Sequence, residues 1–249
     1  MKPSVFLAGA VAVIAIAGCN SKAGDAKTND APVRWEQAAP PKGGDWTMVT
    51  NPTPAGGFMM GNPNAKVKLV EYGSLTCPHC REFDEQGVPT LVDKYVKSGQ
   101  VSWEFRNYVR DPFDLTATLV ARCNGAKGFF PLARALYKDQ AGWVGKIQAT
   151  PQAQLEQLQN LPPTQQFVQA AKFAGFNEWA AARGVPEAKL TQCLSNEGSI
   201  NQLVQMTGDA TNELPNFPGT PTFVINGKMV ENTANWAALE PALKKAIGG

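Results

Sequence analysis

The sequence predicts an α/β domain carrying a large helical insertion, and three observations support that prediction. A β-rich run, Lys66-Val67-Lys68-Leu69-Val70-Glu71-Tyr72, ends at Gly73-Ser74 and leads straight into a helical pattern. After a second strand signal, alternating from Val101 to Arg106, nearly a hundred residues from Asp114 to about Asn212 carry helical signals. Strand character returns only at Thr222-Phe223-Val224-Ile225, where Asn226-Gly227 supplies a hairpin turn into Lys228-Met229-Val230, before an amphipathic helix from Trp236 to Ile247. The order is β-α-β, a helical insertion, then β-β-α, with no internal repeat.

The chain has 249 residues, enough for one large domain or two small ones. Met1-Lys2 is a positive start, and Val5 to Ala17 is an apolar run too short for a permanent membrane span, which reads as a signal peptide over residues 1–18. Ile16-Ala17-Gly18-Cys19 closes that run and resembles the lipobox of bacterial lipoproteins. The resemblance implies acylation of Cys19 and attachment to a lipid membrane; an ordinary cleaved signal beside a chance cysteine is the alternative. Asn20 after the cysteine then favours sorting to an outer membrane. Residues 19–57 hold clusters such as Ala39-Pro40-Pro41-Lys42-Gly43-Gly44 and Pro52-Thr53-Pro54-Ala55-Gly56-Gly57, which is linker chemistry. Such a coil reaches roughly 30–35 Å from its anchor, with Trp35 and Trp46 as residues able to fold back onto the body. The body is predicted over 58–113 and 213–249, with the insertion at 114–212. The first helix runs from Pro78 towards Lys97, kinked by Pro89 and ended by Ser98-Gly99. Within the insertion, helices are predicted over 115–123, 129–139, 151–159, 164–183, 186–194 and 199–211.

Lys plus Arg number 23 against 21 Asp plus Glu, a balance that argues against nucleic-acid binding. A single His excludes a His₂ or His₃ metal site, and five Cys is an odd number that needs explaining.

Cys77-Pro78-His79-Cys80 follows a strand and opens a helix. With Cys77 as N-cap and Pro78 at N1, where a missing N–H costs least, the Cys77 sulfur faces the free N–H groups of the first turn, that of Cys80 included. Those donors and the helix dipole favour thiolate over thiol, and a protonated His79 adds charge in the same sense. Cys80, one turn in, is close enough to close a disulfide. A stabilised thiolate favours the reduced pair and makes the disulfide an oxidant. Half of a zinc site is a competing reading, but no second CxxC exists and the lone His lies inside the motif. An inert structural disulfide is another, though so short a loop gains little from closure.

With these residues in view, the chain resembles the DsbA-like branch of the thioredoxin superfamily, over roughly 58–247. Val70 through Cys80, the helical insertion, and Gly219-Thr220-Pro221-Thr222-Phe223-Val224-Ile225-Asn226-Gly227 carry the likeness. It implies a thioredoxin fold with the helical domain inserted between the second and third core strands. It further implies a cis-proline at Pro221 facing the active disulfide, with Thr220 offering its backbone to an extended substrate; a trans proline starting a strand is the alternative. Glu71 maps onto a buried acid that takes a proton from Cys80; an exposed strand carboxylate is the alternative. Cys123 and Cys193 remain once Cys19 is acylated and Cys77 pairs with Cys80. They form a structural disulfide by elimination, as some members of the family carry, or else stay as two free thiols.

The expected function is that of an extracytoplasmic thiol–disulfide oxidoreductase on the periplasmic side of a bacterial membrane. As an oxidase it would act on exported polypeptides with Cys and be reoxidised by a DsbB-type membrane partner, as a monomer with no cofactor or metal. Isomerases and reductases of the DsbC and DsbG type share the fold, and Thr220 before the proline is familiar from that branch. Those proteins carry a dimerisation domain where this chain has linker. A non-catalytic Cu(I) or cytochrome-maturation chaperone is a further alternative, although nothing gathers a methionine-rich site.

Overall fold

The computed structural model describes residue 40 and residues 44–248. The signal peptide, Cys19, Asn20 and Trp35 lie outside the described residues. Regular structure is present ahead of the boundary expected at Phe58. A short 3₁₀ turn, Trp46–Met48, is capped by Asp45, whose carboxylate accepts from the Thr47 N–H at 2.8 Å. Strand β1 (Thr50–Pro52) pairs antiparallel with β2 (Phe58–Gly61). The Pro/Gly-rich stretch between them is thus a hairpin connection inside the domain. Trp46 is buried against the turn at Gly99: a Cβ there would stand 2.6 Å from Trp46 Nε1, and φ is +77°. Glycine is required at this position on both counts.

Strand β3 (Val67–Gly73) leads into α1 (Pro78–Gln86). Pro89 interrupts the predicted long helix: α1 stops at Gly87, and the path continues through α2 (Val88–Thr90) and a π-helical turn over Leu91–Val96. Strand β4 (Val101–Asn107) follows. The insertion then comprises α3 (Pro112–Arg122), α4 (Gly125–Lys138), α5 (Gln140–Gln148), α6 (Gln152–Gln159), α7 (Pro163–Ala174), α8 (Phe176–Ala181), α9 (Glu187–Leu194) and α10 (Glu197–Glu213). Two differences from expectation have local causes. The helix expected over 164–183 breaks at Gly175, whose φ of 73° forms a left-handed cap. Helix α5 forms even though Gly142 and Gly145 depress its helix propensity. Strands β5 (Thr222–Ile225) and β6 (Lys228–Met229) and α11 (Trp236–Ile247) complete the chain.

The six strands form one sheet in the order β1-β2-β4-β3-β5-β6. β3 and β4 are parallel, and β5 lies antiparallel against the other side of β3. β3 is therefore central, and α1 starts from its C-terminal end beside the start of β5. On one face Phe83 of α1 meets Phe223 of β5 at 4.7 Å between ring centres. On the same face, which the register of Phe223, Glu71, Phe105 and Phe58 shares, α4 of the insertion packs Phe129 on Phe58 at 4.8 Å and Phe130 on Trp103 at 4.9 Å. Insertion and sheet thus share one apolar core, which holds the first turn of α1 in place. Among the described residues no helix is long and apolar enough to cross a membrane.

Cys123, at the end of α3, is bonded to Cys193 of α9, with Cα atoms 5.6 Å apart and a sequence separation of 70. Closing so long a loop stabilises by about 4 kcal/mol in the chain-entropy model. Replacing both cysteines by alanine is expected to cost about that much in urea unfolding and to leave the Cys77–Cys80 redox equilibrium where it was.

Candidate active site

Local sequence sets the first turn. Cys77 is the N-cap of α1, with extended backbone at φ −79° and ψ 123°, and Pro78 takes the first helical position. Cys77 is 2% exposed and Cys80 fully buried, both as free thiols. The Cys77 thiol is brought down to about 5: the Cys80 thiol donates to its sulfur, and the Thr220 hydroxyl and the backbone N–H groups of Cys80 and His79 add to this, against the cost of burial. One contact acts the other way. The Thr220 carbonyl oxygen lies 3.2 Å from Cys77 Sγ and accepts from the thiol, which favours the protonated form. A single acceptor against four donors leaves the thiolate favoured.

Cys80 is the opposite case. Burial first, then donation of its proton to Cys77, then the charges of Cys77 and Glu71 push its thiol well above the ordinary range. One cysteine is thus an anion and its neighbour a buried thiol, the division of labour that thiol exchange needs.

The Thr220–Pro221 peptide is cis, which sets Thr220 against Cys77 at the entry to β5. A cleft of about 890 Å³ opens beside it, lined by His79, the segment Pro218–Thr222 and the β6 region from Lys228 to Ala234. The His79 side chain is 70% exposed, with Nδ1 3.7 Å from Glu82 Oε2. Its ring points outward at the second helical position, so what reaches Cys77 Sγ is its backbone N–H, where the sequence had pointed to ring charge.

Glu71 lies beneath the pair, 1% exposed, in register with Phe105 on one side and Phe223 on the other. Trp103 Nε1 donates to its Oε2 at 3.1 Å. Burial, with the negative charge of Asp84 next, holds its carboxyl well above the usual range. Asp84, on α1, is itself pushed up to about 6 by burial, against the opposing pull of Arg134. Its Oδ1 is 3.4 Å from Arg134 Nε. An enclosed space of about 10 Å³ separates Glu71 from Asp84, room on the scale of one water. Asp84 and Arg134 also line a surface groove that opens to solvent.

A family model described as thioredoxin matches residues 53–245. The chain belongs to the thioredoxin family. Among solved structures it is similar to protein-disulfide isomerase from Novosphingobium aromaticivorans, with 36% identity and a TM-score of 0.73 over 77% of this chain and 97% of that one. Alpha-DsbA1 of Wolbachia pipientis shares the fold at 19% identity, with a TM-score of 0.62 over 79% of this chain and 93% of that one. A candidate protein-disulfide oxidoreductase of Rickettsia bellii is 28% identical over 191 residues, which make up 76% of this chain. The match spans 64% of the length of that relative.

Within this thioredoxin-family scaffold the structure brings together Glu71, Cys77, Pro78, His79, Cys80, Thr220 and Pro221, while Cys123 and Cys193 lie in the insertion. Sequence reasoning missed the residues that the insertion and the sheet add around the redox loop. Asp114, buried near the start of α3, accepts from Ser74 Oγ at 2.6 Å, from the Leu75 N–H at 2.8 Å and from the Arg110 N–H at 3.0 Å. The Tyr137 hydroxyl donates to the Ser74 carbonyl at 3.1 Å. Gln140 Nε2 donates to the carbonyls of Leu75 and Cys77. The only local signal was Asp114 two residues after a proline that opens a helix, which reads as an acid facing the helix dipole.

Proposed function

We propose that the protein is an extracytoplasmic thiol–disulfide oxidoreductase that introduces disulfides into exported polypeptides, tethered to a lipid membrane through acylated Cys19. The observation that carries this reading is the Cys77 thiol brought to about 5 beside a buried, protonated Cys80. In the oxidative direction, a substrate thiolate attacks Cys77 Sγ of the Cys77–Cys80 disulfide. The Cys77–Cys80 bond breaks, and Cys80 leaves with the electron pair and takes a proton from Glu71. A second substrate thiolate then attacks the substrate sulfur of the mixed disulfide and expels Cys77 as its stabilised thiolate. The substrate has lost two electrons and the pair has gained them. Glu71 regains its proton through the small space that leads to Asp84, Arg134 and solvent. A membrane partner of the DsbB type returns the pair to the disulfide, and the cleft beside Thr220 receives the extended substrate chain.

Glutathione equilibrium tests the direction of electron flow. With a thiolate this stable, the pair is expected near the oxidising end of the thioredoxin-like range, about −120 mV; a value near −270 mV would overturn the oxidase reading. The sign with pH follows. A thiol lowered on folding stabilises the reduced protein above the pH at which an exposed thiol ionises, and that stabilisation is lost as pH falls through about 5. The reduced protein is therefore expected to lose its advantage over the disulfide form progressively from the ordinary thiol range, about 9, down to about 5. A second reading, disulfide isomerase, is favoured by the name of the 36%-identical Novosphingobium aromaticivorans relative. Recovery of a scrambled disulfide substrate by the reduced protein, with no oxidation of a reduced substrate by the disulfide form, would select it.

A further inference from the structure

The redox loop is gripped by side chains from the insertion, and one of them reaches the reactive cysteine itself. Gln140, the first residue of α5, is 4% exposed. Its Nε2 lies 2.8 Å from the Leu75 carbonyl oxygen and 3.1 Å from that of Cys77. Both neighbours are acceptors, so the amide nitrogen must face them, and its two N–H groups match the two oxygens. The Cys77 carbonyl also accepts from the Arg81 N–H at 3.2 Å, the first link of α1. Gln140 is thereby tied to the peptide plane from which that helix starts.

We infer that Gln140 is a positioning residue for the Cys77 thiolate, holding the Leu75 and Cys77 carbonyls so that the first turn of α1 stays aimed at the sulfur. The inference rests on Cys77 being the reactive thiolate. Two effects act together. Fixing the Cys77 carbonyl fixes the orientation of the N-cap, and so the approach of the Cys80 and His79 N–H groups to Sγ. Without the amide, the Leu75 carbonyl would lose its side-chain donor and the Cys77 carbonyl would keep only the Arg81 N–H, leaving less compensated negative dipole ends close to a sulfur that has to carry charge. The other clamps, Tyr137 and Asp114, hold Ser74 and the Leu75 N–H but do not reach Cys77. Gln140 is placed from the far side of the insertion: Asp139, just before it, accepts from Trp179 Nε1 at 2.8 Å and from Arg183 at 2.9 Å. The insertion thus reaches the sulfur through one amide.

Gln140→Met keeps the length and bulk of the side chain and removes both donors. In the full chain the acidity constant of Cys77, followed by thiolate absorbance, is expected to fall about tenfold, the scale of one lost buried hydrogen bond. The glutathione equilibrium should move by about the same factor towards the disulfide. Leu158→Ala, a cavity in α6, is expected to lower the melting temperature and move neither readout. A Gln140→Met protein that loses stability yet keeps the wild-type titration and equilibrium overturns the inference. A wild-type Cys77 that ionises in the ordinary thiol range removes the reading beneath it instead. If Gln140→Met does not fold, the wild-type Gln140 side-chain amide, followed by NMR, is expected to titrate with the midpoint of Cys77. An amide signal indifferent to pH overturns the inference.

Discussion

Cys80→Ala is expected to stop turnover and to leave substrate chains covalently attached to Cys77. Cys80 is fully buried, and its sulfur is the partner that donates to Cys77. No other free cysteine is present among the described residues, so nothing replaces Cys80 when a mixed disulfide has to be resolved. The substitution deletes a sulfur from a site already held by Tyr137, Asp114 and Gln140, so the fold should survive it. Cys77 loses the largest of its stabilising donors but keeps the Thr220 hydroxyl and the N–H groups of the first turn. Its thiolate therefore remains populated near neutral pH and still attacks. Turnover should fall by about a thousandfold or more, on the scale seen when one member of a catalytic unit is removed. Non-reducing gels should show adducts that dithiothreitol releases and that Cys77→Ala lacks. Undiminished turnover, or no adduct on Cys77, would refute the two-cysteine mechanism.

The parts of this site that were legible in the sequence are those built from neighbouring residues. A strand, a turn and Cys-Pro-His-Cys at a helix start fix where Cys77 Sγ and the first-turn N–H groups stand, because N-cap geometry is local. Glu71 was visible as a carboxylate in an apolar strand, but nothing in its spacing revealed its burial, which depends on Trp103 and on α4 covering the sheet. Asp114, Tyr137 and Gln140 come from three different helices and meet the redox loop only through packing of the insertion, while Asp84, one turn beyond Cys80 on α1, is enclosed beside Glu71 by Arg134 of α4. No periodicity encodes that convergence. The same limit explains the edge of the sheet. Between Thr50 and Phe58 prolines and glycines dominate, and composition reads as linker, yet the pairing of Phe58 with Phe105 and of Met60 with Trp103 draws the hairpin into the sheet. Helix α5 hid behind its glycines, and with it Gln140. His79 shows the converse: its identity was plain, while the outward direction of its ring follows from its helical position and its neighbour Glu82.

Glu71→Gln should separate catalysis from stability, because the same burial that suits Glu71 to proton transfer makes it costly to the fold. Glutamine keeps the shape and can still accept from Trp103 Nε1, but it can neither give a proton to Cys80 nor take one. If Glu71 handles that proton, reaction at Cys80 should slow by about 10²–10⁴-fold, the usual worth of a positioned acid or base. Stability should move the other way. The carboxyl is raised well above its ordinary value, chiefly by burial. Its protonated form is the one the fold accepts, so its contribution is intact below the pH at which an exposed glutamate ionises and is lost as pH rises through the folded value. Wild type and Glu71→Gln should therefore unfold alike in acid, and the variant should be the more stable of the two at neutral pH and above. Urea unfolding across that range checks the second half, and stopped-flow reduction of the disulfide form by a model dithiol checks the first. Equal rates at every pH would remove Glu71 from the proton path. A variant less stable at neutral pH would mean that the Trp103 contact to the carboxylate outweighs the cost of burying its charge.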